Sequence, residues 1–222
     1  ITADAKQNGA DGITRTKDNF SFSENPSLML IDIDPCDQSP LPDIDIISSL
    51  TQIVNGPFGY VKRGSTTSGI SNSEGELLEG SNGCHIYVVI KNGQNIPRIL
   101  DVINQRLVLT GHGFVFISES GRAEVRTLVD ASVGSPERII YEAKPVLSAG
   151  YVQNRQCDYV EGEPLTIDVL STVESQKISQ IKAELLQQAQ PDIDAKNLAW
   201  RKLRGLTKEK ECELFENKIL PP

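Results

Sequence analysis

Leu28-Met29-Leu30-Ile31-Asp32-Ile33-Asp34-Pro35 is a continuous apolar run that ends in two carboxylates one residue apart. In a strand, side chains alternate between the two faces, so Asp32 and Asp34 point to the same side. This reading places Leu28 to Ile31 and Ile33 in the core. Two like charges aimed at one spot repel each other, and a cation between them removes that cost. The plainer reading of the same residues is a strand end that faces water, with Pro35 as its stop.

Two downstream stretches favour the first reading. After the turn-rich segment Arg63-Gly64-Ser65-Thr66-Thr67-Ser68-Gly69-Ile70 comes Gly83-Cys84-His85-Ile86-Tyr87-Val88-Val89-Ile90, a histidine entering an apolar β-branched run. Further on, Glu124-Val125-Arg126-Thr127-Leu128-Val129-Asp130 is another strand-like run that closes on a carboxylate. A carboxylate pair, a strand histidine and a third carboxylate, in that order, resemble the three motifs of the archaeo-eukaryotic primase (primase-polymerase) superfamily. Val133-Gly134-Ser135-Pro136-Glu137-Arg138, following Asp130, is similar to a pattern in the plasmid, phage and mobile-element members, as are Ser68-Gly69-Ile70 and the stretch from Ala195 to Trp200. The likeness covers about residues 12–165 well and the tail loosely. One departure is Gly83, where the superfamily often has serine; Ser65, Ser68 or Ser81 could supply the missing hydroxyl.

The resemblance implies an α+β fold: an RRM-like catalytic core of antiparallel-rich sheet with packed helices, over 1–170, and a C-terminal helical appendage over 171–222. It implies a DNA primase/polymerase-like nucleotidyltransferase that adds nucleotides to a template in the replication of a mobile element. Asp32, Asp34 and Asp130 are the expected catalytic residues and ligands of two Mg²⁺ or Mn²⁺ ions. Hard carboxylate oxygens suit these ions, which keep several waters for the substrate. His85 is expected to contact the triphosphate, with Arg63, Ser65, Ser68 and Arg126 beside it. Arg126 shares a face with Asp130 if the strand runs on unbroken. The Gly64–Gly69 segment offers hydroxyls and free amides of the kind that form an anion-binding nest. For His85 the alternative is a half-buried histidine bonded to a neighbouring carbonyl, and for Arg126 it is a surface ion pair with a glutamate. Arg138 fits a salt bridge to Glu137 or Glu142. His112, in a Gly-His-Gly turn, reads as surface.

With 222 residues the chain can bury a sizeable core. A net charge of −8 opposes tight nucleic-acid binding, but its distribution is uneven. Before Val61 there are three basic residues (Lys6, Arg15, Lys17) against nine acidic ones. In 195–210, Lys196, Arg201, Lys202, Arg204, Lys208 and Lys210 face Glu209 alone. Lys196, Arg201, Lys202 and Arg204 are therefore the expected nucleic-acid contacts. The implied partners are a single-stranded DNA template, nucleoside triphosphates and a helicase. No apolar stretch approaches a membrane span and no charged-then-apolar leader opens the chain, so the expected location is cytoplasmic. The first residue, Ile1, reads as the start of a fragment. Cys36, Cys84, Cys157 and Cys212 lack Cys-x-x-Cys spacing, which argues against zinc and for reduced thiols.

Periodicity predicts a strand over 28–34, then a helix from Asp43 as N-cap with Ile44, Ile47, Leu50, Ile53 and Val54 inward. Strands follow at 60–63 and 84–91, and a second helix carries Ile99, Leu100, Val102, Ile103 and Leu107. A hairpin of 114–117 with 123–129 comes next, then a strand over 138–142. Beyond Val173, Ile178, Ile181, Leu185 and Leu186 mark one helix and Leu198, Trp200 and Leu203 another. A third short helix is expected from Thr207 to Phe215. Two other functions compete: a noncatalytic replication-associated nucleic-acid-binding domain, which the four motif residues argue against, and a metal-dependent nuclease, which calls for a paired-histidine site that two distant histidines do not supply.

Overall fold

The computed structural model describes residues 7–9, 11–36, 38–39, 45–78, 80 and 82–205. The fold is α+β, with an antiparallel sheet and four helices among the described residues. Four strands form the main sheet in the order β1 (Ser27–Ile33), β4 (Cys84–Ile90), β2 (Tyr60–Gly64), β8 (Cys157–Val160). Two small pairs accompany it: β3 (Ile70–Ser71) with β7 (Val152–Gln153), and β5 (Phe114–Ile117) with β6 (Ala123–Arg126).

The sheet has one apolar face because its strands alternate. Met29 and Ile31 of β1 and Ile86, Val88 and Ile90 of β4 are almost fully buried. Against them lie α1 (Ile46–Ile53), through Ile46, Leu50 and Ile53, and α2 (Ile96–Leu109), through Ile99, Leu100, Ile103 and Leu107. Leu165 and Ile167 complete the same core. On the other face stand Leu28, Leu30 and Asp32 of β1 with Val89, Tyr87 and His85 of β4. Leu28, expected inside, is 62% exposed, because the period that turns Asp32 away from the helices turns Leu28 the same way.

Both helices of the core start with recognisable chemistry. The α1 cap is Asp45, whose carboxylate accepts from the Ser48 amide and hydroxyl and is thereby held below its ordinary pKa. The expected cap, Asp43, lies outside the described residues. A 3-10 turn, Gly93–Asn95, leads into α2, which has Pro97 in its first turn. Arg106 on α2 donates to the Ile53 carbonyl at the end of α1 and pairs with Glu174 at 3.3 Å. Glu174 also closes a capping box with Ser171 at the start of α3 (Thr172–Gln188). One arginine thus ties three helices together.

Helix α4 (Gln190–Leu203) follows α3 almost without a break. α3 packs on α2 and the β5–β6 hairpin, and α4 rests on β5. α3 buries Ile178, while α4 buries none of its residues. The short helix expected over 207–215 lies outside the described residues.

Two expected strands end differently. β6 stops at Arg126, and the Thr127 hydroxyl accepts the Val129 amide as the chain turns away from β5. Residues 128–130 then run antiparallel to β1 on its free edge: Asp34 N–H donates to Leu128 O at 3.1 Å, and Asp130 N–H to Asp32 O at 2.9 Å. Residues 138–142 pair with no strand among the described residues; they cross above the sheet as an extended loop. The fourth strand, β8, was not foreseen from the sequence.

No helix among the described residues is long and apolar enough to cross a membrane.

Candidate functional site

Strand pairing sets the site. Asp32 lies opposite His85, and His85 lies opposite Arg63. The bridge between Ile33 and Val129 puts Asp130 opposite Asp32 on the other side. Directly opposed residues share a face, so Asp130, Asp32, His85 and Arg63 form one lateral row on the side away from the helices. Asp34 is one step further on the same face. Residues remote in sequence are aligned by backbone hydrogen bonds alone.

A cavity of about 440 Å³ opens over Asp32 and His85, the middle of this row, within the size range of small-molecule sites. Asp32, Asp34 and His85 line its floor, and Ser65, Thr66 and Thr67 line one wall. Arg138, Ile139, Ile140 and Tyr141 of the crossing loop form another wall, and Arg15 reaches in from the N-terminal segment. A second cavity, of about 550 Å³, lies beyond Asp34 and is bordered by Asp130, Asn104, Arg126 and Thr127. Asp34 borders both.

The carboxylates are crowded but do not converge. Burial pushes the Asp32 carboxyl above its ordinary pKa; His85 and Arg138 oppose the rise, and the charges of Asp130 and Asp34 add to it. Asp130 is turned toward the next turn, accepting the Ser132 amide at 2.8 Å and hydroxyl at 2.6 Å, with Arg138 at 3.6 Å. Arg138 therefore pairs with Asp130 rather than with Glu137 or Glu142. Among the described residues no group of three or more His, Cys, Asp or Glu side chains is gathered closely enough to hold a metal ion. The donor chemistry nevertheless suits a hard divalent cation: three carboxylates occupy adjacent positions, and the central one is destabilised by burial first and by the other two after it.

His85 is buried and held between two acids. Its Nε2 is 3.6 Å from Asp32 Oδ1, and its Nδ1 is bonded to Glu142 Oε1. The partner is a carboxylate, not the carbonyl of the plainer reading. Tyr87, two residues along the strand, donates to the same Glu142 oxygen, and Arg155 Nη2 donates to the other at 2.8 Å. Burial raises the Glu142 pKa, but the bonds from Tyr87, His85 and Arg155 outweigh it and hold the carboxyl below its ordinary value. Burial also pushes the Tyr87 phenol up, as does its bond to Glu142.

Of the other expected residues, Ser65 lines the cavity and Ser68 does not. The Ser68 hydroxyl is buried and donates to the Gly83 carbonyl, so it ties the turn to the start of β4. Ser65 and Ser68 hydroxyls are 3.0 Å apart. A Cβ on Gly83 would stand 3.0 Å from Ser65 Oγ and 3.2 Å from the Ile33 carbonyl. Ser65 thus fills the space that a side chain at 83 would need. Gly69, at φ +67°, lets the turn close so tightly that a Cβ there would meet the Asn154 carbonyl at 2.1 Å. Ser81 lies outside the described residues.

Arg63 is directed at Glu142, 3.7 Å away, and does not line the cavity. Arg126 pairs with Glu124 and covers the Phe116 ring at 3.9 Å, because β6 ends there and the face it shared with Asp130 is lost. The surface ion pair is the correct alternative for its placement. In α4, Lys196 donates to the Ile117 carbonyl at 2.8 Å, and Arg204, just past the helix end, covers Trp200 at 5.0 Å. No residue of α4, including Arg201 and Lys202, lines the cavity over His85. Lys208 and Lys210 lie outside the described residues. Cys36, Cys84 and Cys157 are free thiols, and burial raises the Cys84 pKa.

Sequence reading missed Glu142, Arg155, Tyr87 and Arg15. A signal existed only for Tyr87, which shares the His85 face by strand period. Glu142 and Arg155 sit in unpaired segments without a local pattern.

Comparison with known proteins found no matching family model, curated protein or solved structure.

Proposed function

We propose that the chain is a primase-polymerase-like nucleotidyltransferase, with an RRM-like core over about 1–170 and a C-terminal helical segment that assists it, adding nucleotides to a strand on a single-stranded DNA template. The row Asp130–Asp32–His85 across one sheet face carries this reading: two acids beside a histidine, with a nucleotide-sized cavity over Asp32, Asp34 and His85. Asp32, Asp34 and Asp130 would hold Mg²⁺ or Mn²⁺, for which Asp130 leaves Ser132. When bound, such cations activate the attacking 3′-hydroxyl and neutralise the triphosphate.

The chain's own groups do the rest. His85 Nε2 faces the acidic end and, when both ring nitrogens carry a proton, donates to a phosphate oxygen. Ser65, Thr66 and Thr67 offer hydroxyls and amides along one wall, and Arg15 and Arg138 add positive charge around the ligand. The loop 138–141 lines the far side of the cavity. The sign of the acidic end disfavours a bare anion, so a nucleotide enters with its cations.

The implied setting is replication of a mobile element, with a helicase as a further partner. Incubation with labelled nucleotides, single-stranded template and Mn²⁺ or Mg²⁺ tests the proposal. De novo or primer-extended products, lost in Asp32→Ala, are expected. Template binding without any product under either metal would favour a noncatalytic binding domain, and template degradation a nuclease.

A further inference from the structure

Glu142 stands in a segment with no regular structure, yet it receives more side-chain donors than any other group near the cavity. Arg155, whose side chain is 4% exposed, grips it twice, donating to its carboxylate and to its backbone carbonyl at 3.0 Å, and also donates to the Gly64 carbonyl at 2.9 Å. Thr66 holds the neighbouring residue by donating to the Tyr141 carbonyl. The carboxylate is therefore fixed in space before it meets His85.

An ionised carboxylate can only accept, so the His85 nitrogen bonded to it, Nδ1, must carry a proton. Nε2 is then the ring nitrogen left facing Asp32 and the cavity. Tyr87 fixes the ring from the side, edge-on at 89° with centroids 6.1 Å apart. The bond to Glu142 thus fixes Nδ1 as a donor, and Nε2 needs a proton of its own to donate to a phosphate oxygen.

We propose that Glu142 is a positioning residue: it sets the orientation of the His85 ring and keeps a proton on Nδ1, so that Nε2 is presented to the ligand in the cavity. That the ligand is a nucleoside triphosphate rests on the function proposed above; the hold on His85 does not. Arg155 and Tyr87 act through Glu142, which makes the four residues one unit.

The chain has two histidines, so a His112→Gln background leaves His85 as the only imidazole for nitrogen-15 NMR. Wild-type protein is expected to show a hydrogen-bonded proton on Nδ1 of His85. Glu142→Ala, and the similarly sized Glu142→Met should the alanine variant not fold, are expected to lose that signal while the backbone amide spectrum stays dispersed. No Nδ1-bonded proton in the wild type, or the same signal in a folded Glu142 variant, would overturn the proposal.

A second readout uses nucleotide addition. Glu142→Met is expected to raise the nucleotide KM by about tenfold, as His85→Ala does, and the double variant to be no worse than His85→Ala alone. Fully additive losses would also overturn the proposal. If wild-type protein adds no nucleotide while the Nδ1 signal behaves as stated, the functional reading fails and the positioning role stands.

Discussion

Asp32 and Glu142 flank the same imidazole and are shifted in opposite directions. Glu142 has donors on both oxygens: His85 and Tyr87 on one, Arg155 on the other. Asp32 has His85 at 3.6 Å and two further aspartates as electrostatic neighbours. Burial opposes the charged form of both and weighs more on Asp32, while only Glu142 has hydrogen-bond donors that outweigh it. Glu142 is a satisfied anion that belongs to the fold. Asp32 has only the more distant His85 and Arg138 against burial and two neighbouring carboxylates, and the proposed function assigns it a cation.

The sharpest way to break this contrast is substitution at the acidic end. Asp32→Ala, Asp34→Ala and Asp130→Ala should each lower nucleotide addition by on the order of 10³-fold or more, while thermal melting without metal stays level or rises for Asp32. A fall of many degrees for Asp32→Ala would make its carboxylate structural, like Glu142. His85→Ala comes next, with an expected rise of about tenfold in nucleotide KM and little change in template affinity. Identical activity across a nucleotide titration would remove His85 from the site.

Metal binding gives a smaller, independent readout. At a hundredfold excess over Kd, Mn²⁺ should stabilise wild-type protein by about 2.7 kcal/mol, or roughly 5–10 °C in melting temperature, and Asp32→Ala much less. An equal shift in both would place the ion elsewhere. Acid titration probes the other carboxylate. Because the folded-state pKa of Glu142 lies below its unfolded value, its contribution is fully present above the unfolded pKa and is lost as pH falls through the folded one. Glu142→Gln should therefore flatten the acid limb of the melting profile, and an unaltered limb would show that the carboxylate is not held in this way.

The smallest effect is expected at the C-terminal helices. Lys202→Ala and Arg204→Ala should each weaken single-stranded DNA binding modestly and reduce the salt slope by about 0.7 for every phosphate that is no longer neutralised. Lys196→Ala should instead loosen the attachment of α4 to β5, since its amine is engaged by the Ile117 carbonyl. Unchanged slopes would assign these helices to packing.

Much of the core was legible because period-two alternation and helical spacing are local. They marked β1, β4, both core helices and the two C-terminal helices, and they put Asp32, Asp34, His85 and Tyr87 on definable faces. Local patterns misled where a strand's partner mattered. The run 123–129 looks like one strand, but it divides at Thr127 between β5 and β1, and that division sends Arg126 to Glu124 and Asp130 to Asp32. Leu28 shows the same limit, since a continuous apolar run does not reveal which face is covered.

By itself, the sequence determined which residues alternate, where the acidic pair ends a strand and which helices carry an apolar stripe, because each depends on backbone periods of a few residues. Only the tertiary structure decided that Glu142 and Arg155 lock His85, that Ser68 serves the turn while Ser65 faces the cavity, and that Arg138 meets Asp130. Those interactions join residues that no local period relates, at separations up to the 57 positions between His85 and Glu142. They follow from how the chain closes on itself, and no local period encodes that closure.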